Sequence, residues 1–378
     1  MRENLLVKRV ETSKQLRQFI FLPEKIHANH KQWVHPLYFD DKVFFDEKKN
    51  DSFLTSDTLM LLAYQDNKAV GRIMGIINKR YNEVHKEKNA RFCFLDCYED
   101  IEIAKVLIDE VDQWAKNKGM EKLVGPLGFS DKEPQGMLIE GFDEKVVIAT
   151  NYNYPWMPLF IERLGFTKEV DLVSYLIQIP EVIPSFLDSI YQRAVRHPDI
   201  IIREFTKRKE LKPWVVPIFQ LINEAYKHIY GFIPLEEKEV VSYAKRYLPI
   251  LNPHFVKVIT DKNEKVIAFV ISMPELSDGI RKAKGRLFPF GWFHILNAGK
   301  TTKLLTLLLG AVDPKWRGKG LDVILGVQLL KTAVNKGLQN IDSHLILEKN
   351  TIMRAECERY NGSVHKKYRI FSKPITQK

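Results

Sequence analysis

The stretch Leu304–Gly337, LLTLLLGAVDPKWRGKGLDVILGVQLLKTAVNKG, decides the fold. It opens on Leu304–Val312, a run in which Thr306 is the only polar side chain. Such a run is far short of the roughly 18 apolar residues a membrane span needs, so a buried strand is expected. Pro314 ends the strand, and Trp316-Arg317-Gly318-Lys319-Gly320 makes a basic, glycine-bearing turn. Val323, Val327, Leu330 and Val334 then fall at i, i+4, i+7 and i+11, one apolar stripe of a helix. Lys336 suits its last turn and Gly337 its C′ position. Strand, glycine turn and helix together turn free backbone N–H groups and a positive dipole end toward a phosphate. Arg317 and Lys319 add side-chain charge, so an anion site, and more narrowly a pyrophosphate site, is expected here.

Val312-x-Pro314-x-Trp316-Arg317-Gly318-Lys319-Gly320 resembles motif A of the GNAT acyl-CoA-dependent N-acyltransferases, V-x-P-x-[YW]-R-G-x-G, whose turn holds the pyrophosphate of coenzyme A. Asn350, after an expected strand Ile341–Leu347 and before an expected helix Thr351–Tyr360, resembles the family's second motif. The resemblance implies acetyl-CoA or another acyl-CoA as co-substrate. It places Ala311, Val312, Lys315, Trp316, Arg317, Gly318, Lys319, Gly320 and Asn350 around it. One position departs from the pattern: the family has Gly or Ala where this chain has Asp322. A carboxylate at the mouth of a phosphate cradle repels phosphate unless it turns away to cap the helix.

With 378 residues the chain has material for two sizeable cores. Its 45% hydrophobic and 28% charged residues are ordinary globular values, which exclude a disordered or membrane-embedded class. The opening MRENLLVKRVETSKQL lacks the apolar segment of a signal peptide, so a cytoplasmic address and no membrane partner are expected. Cys93, Cys97 and Cys357 make neither a disulfide framework nor a zinc set; the first two are expected to be inert in a buried strand. The net charge of +11 suits coenzyme A, nucleic acid or anionic lipid alike. The basic residues are spread along the chain, with no Lys/Arg block flanking an amphipathic helix, so charge alone does not choose.

Taken in order, the chain states one pattern twice. Leu5–Val10 and Ile200–Phe205 are expected strands, each followed by a helix, the first capped by Ser13. Hairpins follow at Leu59–Ile77 and Phe255–Met273. Each half then supplies a strand, an amphipathic helix and another strand: Arg91–Cys97, Ile103–Lys118 and Lys122–Gly125 in the first. That order is the GNAT topology. The expectation is an α/β chain with a mixed (α+β) sheet in two tandem GNAT-like folds, similar to an uncharacterised bacterial double-GNAT family. Residues 1–180 would form a fold without the pyrophosphate loop, and residues 181–378 one with the acyl-CoA motif. Glu181–Asp199 is the expected connector, and Ser277–Thr302 an insertion.

Where the second half has its basic turn, the first has Tyr98-Glu99-Asp100-Ile101-Glu102. Acidic residues satisfy a helix N-terminus internally and repel pyrophosphate, so the first half should not hold coenzyme A. Its loops Gly125–Asp131, Gln135–Asp143 and Asn151–Trp156 are dense in turn formers, polar groups and aromatics, as in a shaped pocket or a long structural loop.

Acyl transfer to an amine needs a polarised carbonyl, a base for the amine and an acid for the thiolate. Backbone N–H groups at Gly310–Val312 are candidates for the first. In many GNAT enzymes a Tyr four residues before the Gly of the last motif serves the thiolate; counted from Gly362, that position is Glu358. Tyr360 is the substitute candidate, and His344 the candidate base. Tyr226, His228, Tyr230 and Phe232 form an aromatic cluster suited to an acceptor or to a core. No metal ligand spacing and no G-x-S-x-G occurs. Three functions follow: an acyl-CoA-dependent N-acyltransferase acting on a small-molecule or peptide amine, a non-catalytic binding protein, or a transferase using aminoacyl-tRNA.

Overall fold

The computed structural model describes residues 5–376. The first half runs β1 (Leu5–Arg9), α1 (Ser13–Ile26), α2 (Tyr38–Phe44), β2 (Ser56–Gln65), β3 (Lys68–Asn78), α3 (Lys79–His85) and β4 (Asn89–Cys97). It continues through α4 (Ile101–Asn117), β5 (Lys122–Gly125), β6 (Met137–Glu140), α5 (Trp156–Arg163) and β7 (Thr167–Gln178). The second half runs α6 (Ser185–Ala194), β8 (Ile201–Glu204), α7 (Val215–Ala225), α8 (Glu237–Tyr247), β9 (Val256–Thr260) and β10 (Val266–Pro274). Next come α9 (Ser277–Lys282), α10 (Gly291–Thr301), β11 (Leu304–Val312), α11 (Leu321–Asn335), β12 (Asn340–Asp342), β13 (Ile346–Leu347), α12 (Thr351–Arg359) and β14 (Ser363–Pro374).

All strands join one sheet, with the main order β1-β2-β3-β4-β5-β14-β7-β12-β11-β10-β9-β8. The last strand of each half crosses into the other: β14 pairs with β5, and β7 with β12. The two crossed strands then pair with each other from Ser363↔Leu176 to Ser372↔Thr167, in the middle of the sheet. Each half is therefore completed by the other, and the chain has an internal pseudo-twofold arrangement about the β7–β14 pair.

Period-two alternation explains the layers. In β2, Leu59, Leu61 and Ala63 face α4, whereas Met60 and Leu62 face α1. In the second half, Val256 and Val258 face α7, while Ile259 and Ile267 face α6 and α11. Helix α1 is started by Thr12 rather than Ser13, in a capping box with Gln15. Helix α11 is buried on more than the expected stripe, because α6 covers it (through Leu187, Tyr191 and Ala194) as well as the sheet. Val334, in the expected stripe, is exposed, and Leu329 and Ala333 are buried instead.

Candidate active site

The site begins where two parallel strands part. Strands β11 and β12 pair only from Leu304↔Asn340 to Thr306↔Asp342. Beyond Thr306 they diverge, and among the described residues nothing else pairs with that edge of β11. A wedge opens whose wall carries backbone N–H and C=O groups paired to no other strand, those of Gly310 being met by the Tyr226 hydroxyl, and such an edge suits the amides of an extended ligand such as pantetheine. On the other edge β11 stays paired with β10, but Ile271↔Leu309 is followed by Ser272↔Leu307. Leu308 is thus the extra residue of a β-bulge, which sets its peptide out of the ladder beside the opening.

The wedge leads into the basic turn. Asp313, buried, accepts from the Lys315 N–H at 2.9 Å and from Lys265 Nζ at 3.0 Å, fixing the turn Pro314–Trp316 to the strand end. Gly318 and Gly320 have φ of 76° and 79°, the left-handed region. Gly320 is the N-cap of α11, so the first N–H groups of that helix have no side-chain cap. Lys315, Arg317 and Lys319 are exposed around it, and Lys319 lies over the Trp316 ring, 4.2 Å from its centroid. Trp316 itself packs against the core under α11 and edges onto His197. Ala311 and Val312 form the half-buried strand end, and Asn350 caps α12 through Met353 N–H at 3.2 Å. The free N–H groups and the three cations of this turn suit a pyrophosphate.

Asp322 points away from this cradle. Its carboxylate accepts from Arg359 of α12 at 2.9 Å, and Arg359 also binds Glu356. Burial, and then the nearby Asp322, push the Glu356 carboxyl up to about 7. An Asp322→Gly variant is expected to change acetyl-CoA affinity by about threefold or less, because an ion-paired, partly exposed carboxylate contributes little field. Calorimetric titration of acetyl-CoA checks this; a tightening of tenfold or more would place the carboxylate in the cradle.

Tyr360 closes α12 and lies between two of the core clusters of the second half. Its hydroxyl is buried, has no hydrogen-bond partner in the protein and lies against Gly326 of α11, where a methyl group would collide with it. Burial holds this hydroxyl protonated far above neutral pH. At 358, the position of the family's Tyr, the Glu358 carboxylate accepts from the hydroxyl of Tyr175 at 2.6 Å. Tyr175 also receives a hydrogen bond from Arg354 and comes from β7, the strand exchanged from the first half.

His344 does not sit in a continuous strand. The expected strand Ile341–Leu347 is interrupted, and His344 has φ 59° in the break between β12 and β13. Its Nε2 lies 3.2 Å from the Ile148 carbonyl, which fixes the tautomer with the proton on Nε2. Burial lowers its basicity below that of a free imidazole. Next to it, at the parting point of the strands, is a buried network. Asp342 accepts from Ser174 Oγ (2.7 Å), Lys366 Nζ (2.8 Å) and the His344 N–H (2.8 Å), and His365 Nε2 lies 3.0 Å away. Thr306, its strand neighbour, donates to buried Glu275 at 2.6 Å, and Glu275 also accepts from Ile148 N–H.

The first half reaches this region through its loops. The Tyr226 hydroxyl, at the end of α7, donates to the Gly310 carbonyl at 2.9 Å and so engages the open edge of β11. Burial pushes it up to about 12. The segment behind it packs on the first half's Gly125–Asp131 loop: Gly231 faces Leu127 and Asp131, and Lys132 sits over the Phe232 ring at 4.7 Å. Tyr230 reaches Glu169 at 3.3 Å, whereas His228 is exposed.

The first half repeats the geometry with different chemistry. Strands β4 and β5 pair only from Asn89↔Lys122 to Arg91↔Val124 and then part. Its bulge falls at Phe94, with φ 52°. Phe94 of β4 and Phe129 of the loop after β5 both meet Phe44, with centroids 5.4 and 5.5 Å away. Asp100 caps α4 by accepting from Glu102 N–H at 3.1 Å. Two residues past each bulge lie Asp96 and Gly310, and each is met by the residue closing the α-helix that follows the first strand of its half, His27 of α1 and Tyr226 of α7. The thiols of Cys93 and Cys97 are buried, and burial raises both well above their ordinary values.

Fold and site together define the class: the chain has the tandem GNAT fold. It aligns over 99% of its length with 99% of a tandem GNAT protein from the clavulanic acid biosynthesis pathway, at TM-score 0.55 and 10% identity. A GCN5-related N-acetyltransferase from Sphaerobacter thermophilus aligns over 100% of this chain and 98% of its own, at TM-score 0.54 and 10% identity. In sequence the chain is 24% identical over 386 residues to protein YghO of Escherichia coli (strain K12), covering 98% of this chain and 95% of that one. It is 24% identical over 375 residues to the bacterial ceramide synthase of Caulobacter vibrioides (strain NA1000 / CB15N), covering 97% and 96%. No protein-family profile matches. Among the described residues no helix is long and apolar enough to cross a membrane, and no cluster of metal-ligating side chains is found.

Proposed function

We propose that the chain is an acyl-CoA-dependent N-acyltransferase, with residues 181–378 holding the acyl-CoA and residues 1–180 lining the acceptor side. The observation that carries this reading is the continuity of the open β11 edge with the uncapped, cation-flanked N-terminus of α11. The acyl donor would lie along Leu307–Val312, its pyrophosphate on Gly318–Gly320 with Lys315, Arg317 and Lys319. The N–H at the Leu308 bulge and its neighbours toward Ala311 and Val312 would polarise the thioester carbonyl. The amine attacks that carbonyl, loses its proton, and the thiolate leaves and gains one. Tyr360, protonated and without a partner in the protein, is the acid in this reading. His344 is the base, accepting at Nδ1, and Asn350 anchors the second motif.

The alignment with a ceramide synthase over nearly the whole of both chains supports an amine acceptor, since ceramide is the amide of a fatty acid and a long-chain amino alcohol. The test is release of free thiol from acetyl-CoA and palmitoyl-CoA with a panel of amines that includes long-chain amino alcohols. Turnover is expected with at least one, and Tyr360→Phe should lower kcat roughly 10²-fold with the KM for acyl-CoA little changed. Acyl-CoA that binds but releases no thiol with any amine would overturn the reading.

A further inference from the structure

The end of α1 in the first half and α9 of the second half together hold a second site, separate from the coenzyme cradle. A cleft of 630 Å³ lies between the end of α1 and α9, lined by Glu24, His27, His30, Trp33, His35 and Arg281 among others. Three groups there are buried without a hydrogen-bond partner: Nε and Nη2 of Arg281, and Nδ1 of His35. Two unpaired N–H groups on one guanidinium edge form a fork that fits the oxygens of a carboxylate or phosphate. Leaving such donors buried and unmade is costly, which is the mark of a site completed by a ligand. Exposed Lys31 and Lys284 add positive charge at the rim, and Glu24, the acid on the cleft wall, is already held by Arg286 at 2.8 and 3.0 Å.

Beside this fork stands a chain of proton carriers. Asp96 Oδ1 lies 3.0 Å from His27 Nε2, and His27 Nδ1 lies 3.2 Å from His30 Nδ1. A carboxylate only accepts, so His27 Nε2 carries a proton, and the two Nδ1 atoms share one between them. When His30 supplies that shared proton, its Nε2 is a free lone pair. Burial opposes the charge on Asp96, yet Arg72, at 2.9 Å, and His27 hold it ionised below the usual carboxylate range. Burial, and then His27, lower His30 to about 4, so it is neutral at physiological pH. Its ring is stacked on Tyr154, 4.0 Å away, and His27 on Trp33, 4.9 Å away, which fixes both imidazoles.

We propose that this cleft binds a phosphate- or carboxylate-bearing amine, free or as a lipid head group, with the anion on the Nε–Nη2 edge of Arg281 and the amine at Nε2 of His30. The ligand's ammonium donates a hydrogen bond to the lone pair of His30 Nε2, His30 Nδ1–H donates to His27 Nδ1, and His27 Nε2–H donates to Asp96, so the ammonium is tied to the buried carboxylate and keeps its protons.

The experiment is calorimetric titration of the full chain with O-phosphoethanolamine and, separately, with lysophosphatidylethanolamine. Both are expected to bind, and Arg281→Gln should weaken binding ~10- to 100-fold while acetyl-CoA affinity stays unchanged. Arg317→Glu should do the reverse, which separates this site from the coenzyme reading. A lipid form at least tenfold tighter than the free one assigns the head group to a lipid; equal affinities assign it to a free metabolite. The Nε2 resonance of His30 should shift when ligand is added, as its lone pair accepts the ammonium's hydrogen bond, while the ring stays neutral. Failure of both probes to bind, or Arg281→Gln binding like the wild type, overturns the site; an unmoved resonance overturns the placement of the amine at His30.

A different observation carries a second inference. Between Asp278 and Asp313 the chain has no acidic residue. In that stretch Phe288 is 82% exposed and Phe290 70%, and Trp292, Phe293 and Leu296 face solvent on α10. Lys282, Lys284 and Lys300 are exposed around them. An outward aromatic face ringed by lysines is the composition of a segment that lies in the surface of an anionic bilayer. We infer that α10 and the turn before it dock on anionic lipid, which revises the expectation of no membrane partner. The wild type should sediment with vesicles one-third phosphatidylglycerol and not with phosphatidylcholine alone, with a blue shift of Trp fluorescence. Phe288→Ser/Phe290→Ser/Phe293→Ser should lower the bound fraction about tenfold. A protein that stays in the supernatant, or a dimer in light scattering that the triple variant dissolves, overturns this and makes a second copy the occupant.

Discussion

Reversing two charges in the glycine turn, Arg317→Glu with Lys319→Glu, should reduce acetyl-CoA affinity by at least ~100-fold. The size follows from the geometry. Each charge-assisted hydrogen bond to a phosphate contributes about 1.5–3 kcal/mol, so losing two removes roughly 3–6 kcal/mol before any repulsion is added. Repulsion adds to it, because the new carboxylates stand at the uncapped N-terminus of α11, where no side chain satisfies the first N–H groups. Both side chains are exposed, so the fold has little stake in them and the melting temperature should move by no more than about 2 °C. Calorimetric titration gives the answer directly. A double variant that binds within about threefold of the wild type would mean that the pyrophosphate sits elsewhere.

What could be seen in the sequence and what could not divides along the range of the interactions. Leu304–Val312, its turn and α11 were legible because an apolar strand, two left-handed glycines and a helix are each local, although of the expected buried strand only Leu305 and Thr306 are buried, and Leu307–Val312 line the open edge. The repeated pattern of the two halves was legible for the same reason. The exchange of β7 and β14 was not, since local periodicity says where a strand is and not which strand it pairs with. The site divides in the same way. The basic turn is a contiguous motif, but the Tyr226 hydroxyl on Gly310 joins residues from two distant segments. Asp322 turns out to face Arg359 because α12 packs beside the start of α11, a fact no spacing reports. His344 was expected in a strand because Ile341–Leu347 is mostly apolar; its left-handed backbone breaks that strand and turns its N–H onto Asp342. The aromatic stretch 288–296 has the composition of a core, and only packing reveals that it faces outward.

The largest loss of stability is expected at the centre of the sheet, where Asp342→Ala should cost about 3–5 kcal/mol. Asp342 has no exposed surface, and Lys366, 1% exposed, has it as its ion-pair partner at 2.8 Å. Removing the carboxylate leaves a buried ammonium with the Lys145 carbonyl and no counter-charge, and also frees Ser174 Oγ and the His344 N–H. These partners come from β7, β14 and the break after β12, so the damage falls on the strands that hold the two halves together. The pair also sets a pH dependence. Burial opposes the charge on Asp342, but His365 and Lys366 outweigh it and hold its carboxyl, in the folded state, below the usual aspartate range. A depressed carboxylate contributes its full stability above the unfolded value, so this part is intact at neutral pH and is lost as pH falls below about 4. Urea unfolding at pH 7 and at pH 3 reads both effects: the Asp342→Ala penalty should shrink at the lower pH, as the wild type loses its own ion pair. Double substitution to Asp342→Leu with Lys366→Met should recover much of the single variant's loss, because exchanging a buried pair for apolar side chains is often nearly neutral. A single variant within about 1 kcal/mol of the wild type would mean that Lys366 finds water or another acceptor, and that the seam between the halves is held by the β7–β14 ladder and its apolar contacts alone.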